Sequence, residues 1–216
     1  TPFHSFPSQV TASAGKRREY LRWAKERGGY IVEDDFDSEF SVSSKSEDTL
    51  FALEPERSVI YMNTFSKTIA PSIRISYMVL PHRLLPAFRE KLGFYSSTVS
   101  GFEQYTLARF LSRGYFEKHI NRMRKLYKNR RNLVIYCLKR CRVADKLTIL
   151  EQDAGLHFLL KVDTDLTDAE LTARLAKAGI RVQALSEFYH DSGEDQRCLV
   201  INYSGVREDE LGQAMD

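Results

Sequence analysis

An α/β fold is predicted for this chain of 216 residues from three features of its sequence. A helix-like run over residues 16–27 meets Gly28-Gly29 and passes straight into Tyr30-Ile31-Val32, an apolar segment that ends in carboxylates. A second apolar segment, residues 58–62, leads into Thr64-Phe65-Ser66-Lys67. The last third alternates strand-like and helix-like runs again. Helix, glycine turn and strand in that order build α/β sheets, whose ligands gather where the strands end.

Over residues 16–27, Tyr20, Leu21, Trp23 and Ala24 recur at helical spacing among charged residues, and Trp23 is expected in the core. Gly28 suits the left-handed cap that stops such a helix. Residues 41–56 are polar and serine-rich at first and read as a loop. Residues 73–80, closed by Pro81, read as a third strand, and residues 84–92 as a helix. A long helical stretch covers 102–140, with a break expected at Gly114. Phe116, Ile120, Met123, Tyr127, Val134 and Leu138 follow a three-or-four spacing and predict its buried stripe, with Lys118, Arg122, Lys125 and Arg131 largely outside it. Residues 156–162 read as a strand and 168–178 as a helix. Thr167 is the expected N-cap, Glu170 completes a capping box, and Gly179 closes the helix. Strands are expected over 180–185 and 198–203, and a last helix from about Arg207.

Composition narrows the class. A hydrophobic content of 43% and a charged content of 28% suit a globular protein. No apolar run reaches the roughly 18 residues of a membrane span, so no membrane partner is expected. The start, Thr1-Pro2-Phe3-His4, has no signal pattern and no methionine, which suggests a piece of a longer chain. Cys137, Cys141 and Cys198 form no disulfide framework, so a reducing cytoplasm is expected, with Cys137 and Cys141 on a buried helix face. The net charge of +3 is uneven: residues 101–142 hold twelve Lys/Arg against two Asp/Glu. That excess fits a solvated helix face, or a surface for nucleic acid or an acidic partner.

Lys67 is the main candidate for chemistry. It follows a strand with apolar residues close on both sides. A lysine so placed loses solvation and gives up its proton more easily, as an imine-forming amine must. Thr64 lies three residues before it and Arg74 seven after. A hydroxyl and a guanidinium around a lysine suit a phosphate. Asp34, at the end of the preceding strand, can face a protonated pyridine nitrogen. Together these describe pyridoxal 5'-phosphate (PLP). Glu33, Asp35, Asp37 and Glu39 suggest loop packing rather than a metal site, because no histidine accompanies them, and no metal is expected. His157 reads as structural; His119 and His190 read as surface or packing residues.

Two segments carry a family resemblance. Tyr30-Ile31-Val32-Glu33-Asp34-Asp35-Phe36-Asp37-Ser38-Glu39-Phe40 and Thr64-Phe65-Ser66-Lys67-Thr68-Ile69-Ala70-Pro71-Ser72-Ile73-Arg74-Ile75-Ser76-Tyr77 resemble hallmarks of the MocR subgroup of GntR-family regulators. Looser matches are the first eight residues and His119-Ile120-Asn121-Arg122-Met123-Arg124 with Tyr127 and Arg130-Arg131. The resemblance implies a PLP-dependent transferase of fold type I. Residues 1–97 would be the second half of the large, PLP-binding lobe, a mostly parallel sheet with helices. Residues 98–216 would be linking helices and a C-terminal α+β small lobe. It also implies Lys67 as the Schiff-base lysine, Asp34 on the pyridine nitrogen, Thr64 and Arg74 on the phosphate, and Ser66 assisting.

The resemblance has departures. Phe36 stands where tyrosine is usual, keeping the ring beside the cofactor and losing a phenol hydrogen bond. Ser5 and Gln9 replace the usual Gln and Gly. Glu187 and Val200 occupy positions where an arginine would bind a substrate carboxylate. The winged-helix DNA-binding domain and the first half of the transferase domain are missing from this sequence, so PLP binding by this piece is expected to be weak or absent. The leading expectation is the effector-sensing domain of a PLP-dependent, homodimeric transcriptional regulator that responds to an amino compound or amino acid. DNA would be reached through the winged-helix domain. The alternative is a genuine aminotransferase. A nucleic-acid-binding module on residues 101–142 is the third reading, and no recognition motif supports it.

Overall fold

The computed structural model of the chain describes residues 5–8, 10–40, 48–54, 57–150, 155–190 and 194–206. The expected helix after Arg207, Gln9 and much of the 41–56 loop lie outside these residues. The described residues form two compact units. One contains residues 11–39 and 48–122, and the other residues 5–8, 10, 40 and the described part of 123–206.

The first unit starts with helix α1, Ala14–Arg27. The Ser13 hydroxyl accepts from the Lys16 N–H at its start, and Gly28 ends it at φ +60. Its buried line is Arg17, Leu21 and Ala24. Trp23 sits about 200° around the helix from Leu21 and is 56% exposed, which corrects its expected place in the core. Strand β1, Ile31–Asp34, pairs in parallel with β2, Val59–Thr64, from Ile31 opposite Val59 to Asp34 opposite Met62. Helix α2, Leu50–Leu53, lies between them in the chain. Leu21, Leu50 and Val59 form the small core.

After β2 comes a single helical turn, α3, Phe65–Thr68. Strand β3, Ser76–Val79, then pairs antiparallel with β2 and is exposed along its length, an edge strand. It is shorter than the expected 73–80, because Ile73 and Ile75 spend their backbone groups closing the turn: Ile73 N donates to Ala70 O and Ile75 O accepts from Phe65 N. Helices α4, Leu85–Leu92, and α5, Gly101–Ser112, follow. The break at Gly114 is present, at φ +68, a conformation that glycine takes without strain. Helix α6, Tyr115–Leu138, begins in this unit and its later turns belong to the second.

In α6, Ile120, Val134 and Leu138 are buried and Phe116, Met123 and Tyr127 half-buried, while Lys118, Arg122 and Lys125 are exposed. Cys137 and Cys141 are only half-buried, and Cys141 lies beyond the helix end, so the expected buried cysteine face is not found. The second unit holds a four-stranded antiparallel sheet in the order β4-β5-β7-β6: β4 Leu147–Leu150, β5 His157–Val162, β6 Gln183–Ala184 and β7 Cys198–Asn202. β4 was not anticipated from the sequence, and β6 is two residues rather than the expected six. Helix α7, Asp168–Lys177, carries the expected Thr167–Glu170 capping box. Val134, Ile135 and Leu138 pack with Phe158, Leu160, Leu171 and Leu199. Each large apolar side chain buried this way contributes about 1.5–3 kcal/mol.

Asp168, only 5% exposed, fastens the start of α7 to the chain before β7. Its carboxylate accepts from Arg197 N at 2.8 Å, Gln196 N at 3.1 Å and the Ser186 hydroxyl. Arg197 is held at φ +50, in the left-handed region. Asp168→Ala leaves these donors unpaired and removes an anion from a helix N-terminus. We expect a stability loss of about 2–4 kcal/mol by urea denaturation. A loss under about 0.5 kcal/mol, the scale of an ordinary surface change, would contradict this role.

Candidate active site at the ends of the parallel strands

The candidate residues fall at one edge of the first unit's sheet. Asp34 is the last residue of β1 and is exposed. Phe36 lies two residues beyond and is half-buried. Thr64 ends β2 and caps α3, its Oγ1 accepting from Ser66 N at 3.2 Å. Lys67 is the third residue of α3 and is exposed, so this chain alone does not provide the desolvation expected from its apolar neighbours. The Ser66 hydroxyl donates to Ile73 O at 2.5 Å, and Arg74 reaches back to place Nη1 3.4 Å from Ser66 Oγ. Thr64, Ser66, Lys67 and Arg74 therefore share one closed turn, and the parallel pairing sets Asp34 on the adjoining strand end.

That donor set fits a phosphorylated pyridine aldehyde. Arg74 and Lys67 are exposed cations, and Ser66 already lies against Arg74. The two hydroxyls donate inward, Thr64 Oγ1 to Ile75 O at 3.3 Å and Ser66 Oγ to Ile73 O, and would have to turn from these carbonyls to serve an anion.

Beneath this edge, where the sequence suggests only loop packing, lies a polar network. Glu33, 1% exposed, accepts from Leu50 N at 2.8 Å and Phe51 N at 2.9 Å, so it caps α2 from the neighbouring strand. Tyr61 donates to Asp35 Oδ2 at 2.8 Å. Asn63 Nδ2 donates to Glu39 Oε1 and to Tyr61 Oη, both at 3.0 Å, and Asn63 Oδ1 accepts from Thr64 N at 2.5 Å. Burial raises the carboxyls of Glu33 and Glu39 and the phenols of Tyr61 and Tyr77 above their ordinary values. Hydrogen bonds from backbone N–H groups to Glu33, and from Asn63 to Glu39, act the other way. Asn63, a buried amide inside a strand, was the one sequence signal for this network.

Other candidates have structural duties. His157 is buried, with Nε2 3.2 Å from Pro7 O and its ring edge-on to Phe6. Glu187 accepts from Ala184 N at 2.9 Å, and Val200 is buried in β7 between Leu159 and Gln183. His190 is exposed, and His119 is half-buried against the Lys67 turn.

Residues 7–216 match the family described as aminotransferase class I and II. The chain belongs to that family. This class I and II chain is 35% identical over 215 residues to the uncharacterized HTH-type transcriptional regulator YdeL of Bacillus subtilis (strain 168), covering 100% of this chain and 46% of the regulator. It is 32% identical over 207 residues to the probable rhizopine catabolism regulatory protein MocR of Rhizobium meliloti, covering 95% and 41%. The resemblance to MocR-type regulators read from the motifs therefore holds, over less than half of the length of these relatives. A crystal structure of Pyrococcus horikoshii kynurenine aminotransferase in complex with PMP matches with a TM-score of 0.82 at 27% identity, covering 99% of this chain and 52% of that one. The fold is thus that of the fold-type-I PLP-dependent transferases. Among the described residues, no helix is long and apolar enough to cross a membrane.

The half-buried Glu39 yields a pH test. Its raised carboxyl binds a proton in the folded state more readily than in the unfolded state. Charging it costs stability as pH rises from 4.5 through the folded value. Glu39→Gln keeps an oxygen acceptor for Asn63 and has no such cost. Its stability relative to the wild type should increase between about pH 4 and about pH 8 in urea denaturation. A difference that is flat, or falls with pH, would contradict the assignment.

Proposed function

We propose that this chain is the cofactor-holding, effector-sensing part of a MocR-type transcriptional regulator, with PLP held through Lys67. The observation that carries the reading is the single turn that gathers Thr64, Ser66, Lys67 and Arg74 beside the strand end bearing Asp34. In this reading residues 1–97 are the second half of the PLP-binding lobe and residues 98–216 the linking helices and small lobe.

Bound there, PLP supplies an aldehyde open to primary amines and a pyridine ring that withdraws electrons. The chain's residues do the rest. Lys67 Nζ would offer the amine that holds the aldehyde, and an amino compound would compete with it for that place. Asp34 opposes the charge of a protonated ring nitrogen. Arg74 offers paired donors to the phosphate, with the Thr64 and Ser66 hydroxyls turned toward it. Phe36 gives the ring an apolar neighbour and no phenol. In the whole protein, which we take to be a cytoplasmic homodimer, the response passes to a winged-helix domain on DNA.

A genuine aminotransferase is the second reading, favoured by the likeness to kynurenine aminotransferase. Against it stand Glu187 and Val200, which the family resemblance sets where an arginine would hold a substrate carboxylate. Conversion of an amino donor and a keto acid by the full-length protein, over many turnovers, would decide for it.

Two outcomes test the leading reading. In the full-length protein, Asp34→Ala should weaken PLP binding by about 10- to 100-fold, the scale of a lost charged hydrogen bond. Being exposed, Asp34 should leave the unliganded stability within about 0.5 kcal/mol. Asp35→Ala should instead lower stability, because Asp35 is buried on Tyr61. Equal PLP affinities for wild type and Asp34→Ala would assign the wrong carboxylate. The 216-residue chain alone should bind PLP at least about tenfold more weakly than the full-length protein, since anion contacts left open to water are worth little. Tight, Lys67-dependent binding by the chain alone would show that it already holds a complete site.

A further inference from the structure

We propose that His119 is a positioning residue for Lys67: it fixes the end of the turn that carries the lysine by donating a hydrogen bond to the Thr68 carbonyl. The proposal rests on the reading of Lys67 as the cofactor lysine.

The turn α3 has four residues, too few to satisfy its own ends. Its start is held by the Thr64 cap, and its flank by Ser66 on Ile73 O. Its last residue, Thr68, is 2% exposed, so its carbonyl needs a partner from the protein. That partner lies 51 residues on: His119 Nε2 is 3.0 Å from Thr68 O. A carbonyl oxygen only accepts, so Nε2 carries the hydrogen. On the other side of the ring, Arg122 Nη2 is 3.4 Å from Nδ1. A guanidinium only donates, so Nδ1 offers its lone pair. Both nitrogens therefore have a partner, one on the turn and one on α6 itself.

A second contact runs parallel to the first. The Phe116 ring meets Phe65 edge-on, with centroids 5.9 Å apart. Phe116 and His119 lie three apart on α6, and Phe65 and Thr68 three apart on α3. One face of α6 thus grips the first and last residues of the turn, with Lys67 between them. The Phe110 ring, centroid 6.4 Å from the imidazole, supports His119 from α5. This gives His119 and Arg122, parts of a motif that the proposed function leaves unused, a definite task.

The test uses the full-length protein and two probes. PLP needs a well-placed Lys67 amine, whereas pyridoxamine phosphate, with no aldehyde, does not. His119→Phe keeps a ring beside Phe110 and loses the donor. It should raise the half-saturating PLP concentration about fivefold, the scale of one hydrogen bond, and leave pyridoxamine phosphate unchanged. His119→Gln, whose amide reaches the Nε2 position, should stay within about twofold of wild type for both probes. Should His119→Phe fail to fold, His119→Asn replaces it; its amide stops short of Thr68 O, and it should lose PLP affinity where His119→Gln does not. Unchanged PLP binding in His119→Phe, equal weakening of both probes, or a His119→Gln as defective as the donor-less variants overturns the proposal. Lys67→Ala is the separate control: PLP affinity equal to wild type there would overturn the Lys67 reading itself.

Discussion

In a parallel pair of strands both chains finish at the same edge of the sheet, and the candidate site depends on that geometry. β1 and β2 run together from Ile31 opposite Val59 to Asp34 opposite Met62. A carboxylate and a lysine-bearing turn, more than 30 residues apart in the chain, therefore emerge side by side. The backbone bond from Asp35 N to Met62 O extends the register one step past Asp34. Below the edge, Asp35, Tyr61, Asn63 and Glu39 tie the two strand ends through side chains. The exposed residues suited to chemistry thus stand on buried residues suited to holding shape. These acidic neighbours look alike in the sequence and differ in burial: Asp34 faces out, while Glu33 and Asp35 point in.

Much of this was legible where the signal is local. The Thr167–Glu170 capping box, the Gly28 cap and the break at Gly114 are short-range chemistry and appear where expected. The candidate residues were readable as a motif because Thr64, Ser66, Lys67 and Arg74 lie close in the chain, and the fold gathers them in one turn. What escaped were features decided by distant partners. Trp23 looks like a core residue by type, yet the buried line of α1 passes through Arg17, Leu21 and Ala24. β4 is four residues long and exists because β5 lies beside it. Glu33 as a cap for α2, and His119 as a partner for Thr68, join residues 17 and 51 apart, which no periodicity reports.

The comparisons set the scale of the functional reading. The regulators match in sequence, and the solved kynurenine aminotransferase in fold, over nearly the whole chain, while the chain spans about half of each. The turn from Thr64 to Arg74 can present amine, hydroxyls and guanidinium, but from one side only. A phosphate held from one side stays in contact with water, where each charged contact is weak. Under the proposed function, tight cofactor binding belongs to the whole protein, and this chain would contribute the lysine, the ring carboxylate and part of the phosphate grip.

The central claim is that Lys67 holds the cofactor, and the most direct measurement is where the cofactor becomes attached. Full-length protein is incubated with PLP, reduced with borohydride, digested and mapped by mass spectrometry. The account predicts one dominant phosphopyridoxyl adduct, on Lys67 in the peptide that contains Thr64-Phe65-Ser66-Lys67. An adduct centred on another lysine, or scattered among surface lysines with Lys67 unmodified, would contradict it.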